Sequence, residues 1–328
     1  MRTWMLWLLI LFMPCLALAE ASPIIVSVGL SSNGQAAGIG KRAPWGIHKA
    51  DLIYETMVYQ TGQTRLACVF QSNLPNAVGP VRSARMSHFY LREEYGAALV
   101  FCGDAGIRAR DHMQPDLALS SPLILNFHHS PLMRTHCTRI KGIKAPDHLS
   151  ADLAALQREL LFSASNDWLL PSGELHRSGT PVREVLLHWG NVQWQTRLIY
   201  DEERNLWQMY RADAPFLSRT EAAPGSTSVP IHFSTVIIQH VDVDWLTTVV
   251  PVCTGLGSGR ADYLIDGKWI EGSWRRSSPS SPTLWLDGEG NAMGFPQGKG
   301  YIAQFPKAYT EEFDSLQRTL TYTYRGGE

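Results

Sequence analysis

Beyond residue 181 the chain is cut into β-branched and aromatic runs of strand length, and this punctuation constrains the fold more than any other feature. The runs at 182–188, 196–200, 206–211, 235–239, 261–265 and 268–271 are separated by turn chemistry such as Asp266-Gly267 and Asp287-Gly288. No long helical spacing interrupts them, so this half reads as mostly β. The glycines of Gly255-Leu256-Gly257-Ser258-Gly259 precede no helix. They suit turns and close packing in a β-rich stretch better than a nucleotide loop.

The first half mixes periods. Residues 23–30 read as a strand, and 51–59 with 64–71 as a hairpin around Thr61-Gly62. Alternation along the first hairpin strand puts Ile53, Glu55 and Met57 on one face. Residues 81–95, after Gly79-Pro80, have helical spacing with Pro80 near the first turn. Residues 97–102 read as a short buried strand. Leu149, Leu153, Leu156 and Leu160 make a helical stripe with Asp147 or Ser150 as its cap. At 328 residues there is room for about two domains. The fold class expected is therefore α+β: a mixed α/β N-terminal domain at 23–162, a turn-rich linker at 163–181, a mostly β domain at 182–308 and a tail at 309–328.

The amino terminus carries an address. Arg2 precedes an apolar run over residues 5–18, which ends in Ala17-Leu18-Ala19, the pattern a signal peptidase reads. That run is short of the about 20 residues a membrane span needs, and cleavage after Ala19 is expected. Cys15 follows Phe12-Met13-Pro14, a poor setting for lipid attachment. The later apolar stretch at 236–250 is broken by His240, Asp242 and Asp244, so the mature chain is expected outside the cytoplasm with no span. Export permits disulfides. Cys68, Cys102, Cys137 and Cys253 allow three pairings, with Cys102–Cys137 one candidate bridge and buried free thiols the alternative. The balance of 29 Lys+Arg against 30 Asp+Glu leaves no basic excess for nucleic acid.

Ala50–Glu55 (ADLIYE), Thr64–Phe70 (TRLACVF) and Gly79–Arg85 (GPVRSAR), in that order and spacing, resemble the N-terminal domain of the YerB-like family of bacterial envelope proteins. Residues 200–211, 257–276 and 286–306 carry the companion C-terminal pattern. The resemblance implies a two-domain extracytoplasmic protein, often a lipoprotein, and no reaction. Where the family reads Ala-Pro-His-Asn, this chain has Ala145-Pro146-Asp147-His148, which makes His148 a candidate one residue away.

Several residues carry chemistry. On a helix, Arg82 and Arg85 share a face near its N-terminus, with Ser83 in the first turn. Two guanidinium groups, a hydroxyl and free N–H groups suit a carboxylate or phosphate. The alternative is a set of ion pairs with Glu55, Asp51 or Asp104. Glu55, in an otherwise apolar strand, could pair with Arg65 across the hairpin or act as a general acid or base. Asp104 follows the 97–102 strand, and Glu55 with Asp104 could form a glycosidase-type pair. His128, His129, His136, Cys137 and His148 match no zinc spacing, so no metal or other cofactor is expected. The seven tryptophans from Trp189 to Trp285 read as core packing before a glycan surface. The function these residues suggest is binding of an anionic envelope ligand, such as a peptidoglycan fragment, through Arg65, Arg82, Ser83, Arg85 and His148. The alternatives are a cell-wall hydrolase using Glu55 and Asp104, and an assembly factor docking an envelope protein.

Overall fold

The computed structural model describes residues 23–30, 43–103, 121–160, 170–173, 178–190, 194–211, 213–223 and 225–326. The described residues are 48% strand and 11% helical. This corrects the α+β expectation: the fold is largely β-sheet. The N-terminal half contributes five strands to one large sheet: β1 (Ile24–Val28), β2 (Leu52–Met57), β3 (Thr64–Phe70), β4 (Ala98–Phe101) and β5 (Ile124–Asn126). From edge to edge the sheet runs Leu284–Asp287, Lys268–Arg276, Gly257–Ile265, Thr235–Val241, Gly300–Pro306, β2, β3, β1, β4, β5. Gly300–Pro306, from the second half of the chain, lies parallel to both its neighbours, with Ala303 opposite Glu55 on one side and Ile238 on the other. Both halves therefore share one sheet.

A second sheet, which includes Glu184–His188, Thr196–Asp201, Leu206–Arg211, Tyr309–Asp314 and Thr319–Tyr324, packs over one face of the first. Residues 309–314 and 319–324, beyond the expected second domain, form its antiparallel hairpin. The layer between the sheets holds Val26, Ile53, Val236 and Phe305 against Leu187, Trp207 and Leu320. Helix α1 (Met86–Tyr95) covers the opposite face, where Phe89, Tyr90 and Leu91 meet Tyr54, Val69 and Leu99. Helices α2 (Pro131–His136) and α3 (Leu153–Glu159) are short, and they contribute Met133 and Leu156 to the layer between the sheets. Trp189, Trp207 and Trp274 are fully buried, as core packing requires, whereas Trp245 is exposed. Among the described residues no helix is long and apolar enough to cross a membrane.

Two expected helices are shorter than their spacing suggested. Residues 81–85 are drawn out by long-range pairing: Val81 N–H donates to Leu149 O, Arg82 N–H to Ser27 O and Ala84 N–H to Gly103 O. Helix α1 consequently starts at Met86, with Arg85 as its extended N-cap. The Leu149 end of the second stripe is likewise a strand, Leu149–Ala151, paired with Cys137–Arg139. α3 begins only after Asp152, whose carboxylate accepts from Ala155 N–H at 2.8 Å.

Candidate functional site

The extended segment before α1 crosses the carboxyl ends of β1 and β4, which are parallel neighbours. In open sheets that end is where ligand crevices form. The segment brings Arg82, Ser83 and Arg85 there, and β3 adds Arg65 from the adjacent strand. Arg82 and Arg85 do not share a helical face, because neither lies within the helix.

Arg65 is 4% exposed. Its Nη1 donates to Ser83 O at 2.7 Å, and its Nε has no hydrogen-bond partner among the described residues. Arg85, 9% exposed, donates to Ala84 O at 3.1 Å and has the same orphaned Nε. Arg82 pairs with Asp147. Among the described residues neither Arg65 nor Arg85 makes an ion pair with a carboxylate. Burial, then the like charges of Arg85 and Arg82, push the Arg65 guanidinium well below its ordinary value; burial also lowers Arg85. Space for the Arg82 side chain exists because residue 29 is glycine: a Cβ there would lie 2.5 Å from Arg82 Cγ. Ser83 Oγ donates to Cys102 O at 3.0 Å and therefore serves the backbone in this structure.

Three neighbours belong to the site and were not marked by their sequence. Asp147, first considered as a helix cap, is the carboxylate that neutralises Arg82. His88, in the first turn of α1, accepts from Arg85 N–H through Nδ1 at 3.2 Å. Burial, Arg65 and Arg85 together hold its pKa down to about 3. Tyr59, 39% exposed on the turn after β2, lies within electrostatic reach of both Arg65 and Arg85. His148 is adjacent to Asp147 in the chain and receives a hydrogen bond from Arg139 at 2.7 Å.

Glu55 lies elsewhere. Thr56, not Glu55, stands opposite Arg65, so the expected Glu55–Arg65 pair does not form and the two side chains leave opposite faces of the sheet. Glu55 is fully buried between the sheets. It accepts from Thr64 and Arg211 on Oε1, and from Thr196 at 2.9 Å and Tyr301 at 2.6 Å on Oε2. Four donors from four strands occupy a carboxylate with no solvent contact, which is the geometry of a structural hub. Asp51 is engaged elsewhere, accepting from the Gln71 and Ser72 backbone N–H groups; Asp104, the remaining expected partner, lies outside the described residues. Cys68, Cys102, Cys137 and Cys253 are all free thiols. Among the described residues no group of three or more His, Cys, Asp or Glu could hold a metal ion.

Family models described as the N-terminal and C-terminal domains of a protein of unknown function, DUF3048, match residues 18–160 and 186–302. The chain belongs to the DUF3048 family. No curated protein sequence matches it. Its structure is similar to the crystal structure of YerB protein from Bacillus subtilis, with a TM-score of 0.68 at 18% identity, covering 87% of this chain and 91% of that one. The likeness shows a shared fold. DUF3048 membership thus agrees with the family resemblance carried by the GPVRSAR segment and with two domains, and it assigns no reaction.

Proposed function

We propose that this DUF3048 protein is an extracytoplasmic binder of an anionic ligand, carboxylate- or phosphate-bearing, held by Arg65, Arg82 and Arg85 beside the N-terminus of α1. The observation that carries this reading is the pair of nine-tenths buried guanidinium groups, Arg65 and Arg85, without carboxylate partners among the described residues. Burying such charges costs several kcal/mol each unless a counter-charge arrives. A planar carboxylate or phosphate oxygen set matches the guanidinium fork. Peptidoglycan fragments bear carboxylates and fit the location that the leader sequence suggests. Tyr59 offers an exposed ring beside the cluster, suited to lying against a sugar. Glu55 is sealed from solvent, so nothing in its geometry favours the hydrolase alternative.

Titration calorimetry of the mature protein with soluble muropeptides, and separately with inorganic phosphate, tests the proposal. Arg65→Gln with Arg85→Gln is expected to weaken binding at least about tenfold, the loss of two charge-assisted hydrogen bonds. Arg82→Gln, at a more exposed position, serves where the double variant does not fold. Unchanged affinity in these variants, or no heat from either probe, would sink the idea.

A further inference from the structure

Cys102 and His128 follow β4 and β5, two parallel neighbours in which Phe101 stands opposite Asn126. The register brings the two turns to the same level, and Cys102 Sγ lies 3.6 Å from His128 Nε2. Asn126 ties the turns together, its Oδ1 accepting from both Gly103 N–H and His128 N–H at 3.2 Å. The thiol is half-buried and the imidazole exposed, so a substrate has access to both. Gly103 adopts φ 82°, and a Cβ there would meet Ser83 Oγ at 3.1 Å; glycine keeps the turn tight against the arginine segment. Cys102 N–H donates to Arg82 O at 3.0 Å, which anchors the thiol beside the proposed anion site.

We infer that Cys102 is a nucleophile and His128 its general base, a pair suited to acyl transfer from an ester or amide. The groups facing Cys102 are Arg82, Arg139 and Cys137; His129 and Arg134 adjoin His128. Burial raises the Cys102 thiol above its ordinary value, against the pull of Arg139 and Arg82, so at rest the thiol keeps its proton. On attack, Sγ forms a bond to the acyl carbon while its proton passes to His128 Nε2. The carbon–oxygen or carbon–nitrogen bond then breaks, and His128 returns the proton to the leaving group. Water hydrolyses the thioester, releasing the acid and restoring the thiol. A preference for acyl donors that carry a carboxylate rests on the anion-binding proposal above; the nucleophile itself does not.

The test is p-nitrophenyl acetate with the mature protein, read by release of p-nitrophenolate and by peptide mass spectrometry. Acetylation of Cys102, lost in Cys102→Ser and slowed at least about tenfold in His128→Asn, supports the pair. The pH dependence of the rate is expected to differ between the wild type and His128→Asn, since the variant has no general base at that position. Acetyl groups on lysines or on Cys137 instead, or a rate and pH profile indifferent to His128→Asn, overturn it. The mono-p-nitrophenyl ester of succinate is the second probe. Faster acylation than by acetate supports the carboxylate preference; equal rates remove that preference while Cys102 labelling still stands.

Discussion

Burial and two nearby guanidinium groups hold His88 neutral down to about pH 3, whereas an unfolded histidine takes a proton near about 6.5. Below that higher value the unfolded chain binds a proton that the folded chain refuses, so the contribution to stability falls as pH drops from about 6.5 toward 3. The slope for one proton is about 1.4 kcal/mol per pH unit. Urea unfolding at pH 7 and pH 5 should therefore show about 2 kcal/mol lost from this residue. His88→Asn, which retains an acceptor for Arg85 N–H, is expected to lose less over the same interval. Asp147 offers a second single-residue test. Its carboxylate competes with any incoming anion for Arg82, so Asp147→Asn should tighten phosphate binding several-fold, measured by calorimetry at low salt. At this scale the arginines were readable from their types alone. Their partners were not, because Asp147 and Arg211 reach their sites from 65 and 156 residues away.

Elements were legible where the local pattern and the tertiary environment agree. The hairpin of β2 and β3, the β1 and β4 strands, and Leu206–Arg211 fall where alternation and turn chemistry placed them. Local spacing misled at residues 81–85 and 149–151, whose backbone groups find partners on distant strands instead of in a helical turn. The same long-range pairing shifts the cap of α3. Neither Asp147 nor Ser150 serves there: Ser150 Oγ accepts from Trp45 Nε1 at 2.9 Å, and Asp152 holds the helix start. Asp152→Ala should accordingly cost about 1 kcal/mol, seen as a lower urea midpoint with an unchanged slope.

Across the whole molecule the two halves are joined by buried charge as well as by shared strands. Glu55 binds Arg211 between the sheets, and Glu94 of α1 binds Arg276 at 2.9 Å on the other face of the large sheet. Removing one partner of such a pair leaves a buried charge uncompensated, so Glu55→Leu should destabilise by about 3–5 kcal/mol. A single cooperative transition is expected in both wild type and variant; two separate transitions in urea would contradict the coupling. The division into halves was visible in the sequence as a change of texture, but nothing local in 300–306 reveals that this run inserts beside β2. That insertion has a temporal consequence. Among the described strands of the large sheet, Gly300–Pro306 is the last to leave the ribosome, yet its place is between two strands made long before it. Until it arrives, Leu52–Met57 and Thr235–Val241 each present an open edge with unpaired N–H and C=O groups. The nascent chain must wait with two adhesive borders uncovered, and its vulnerability to misassociation is greatest just before Gly300–Pro306 closes the gap.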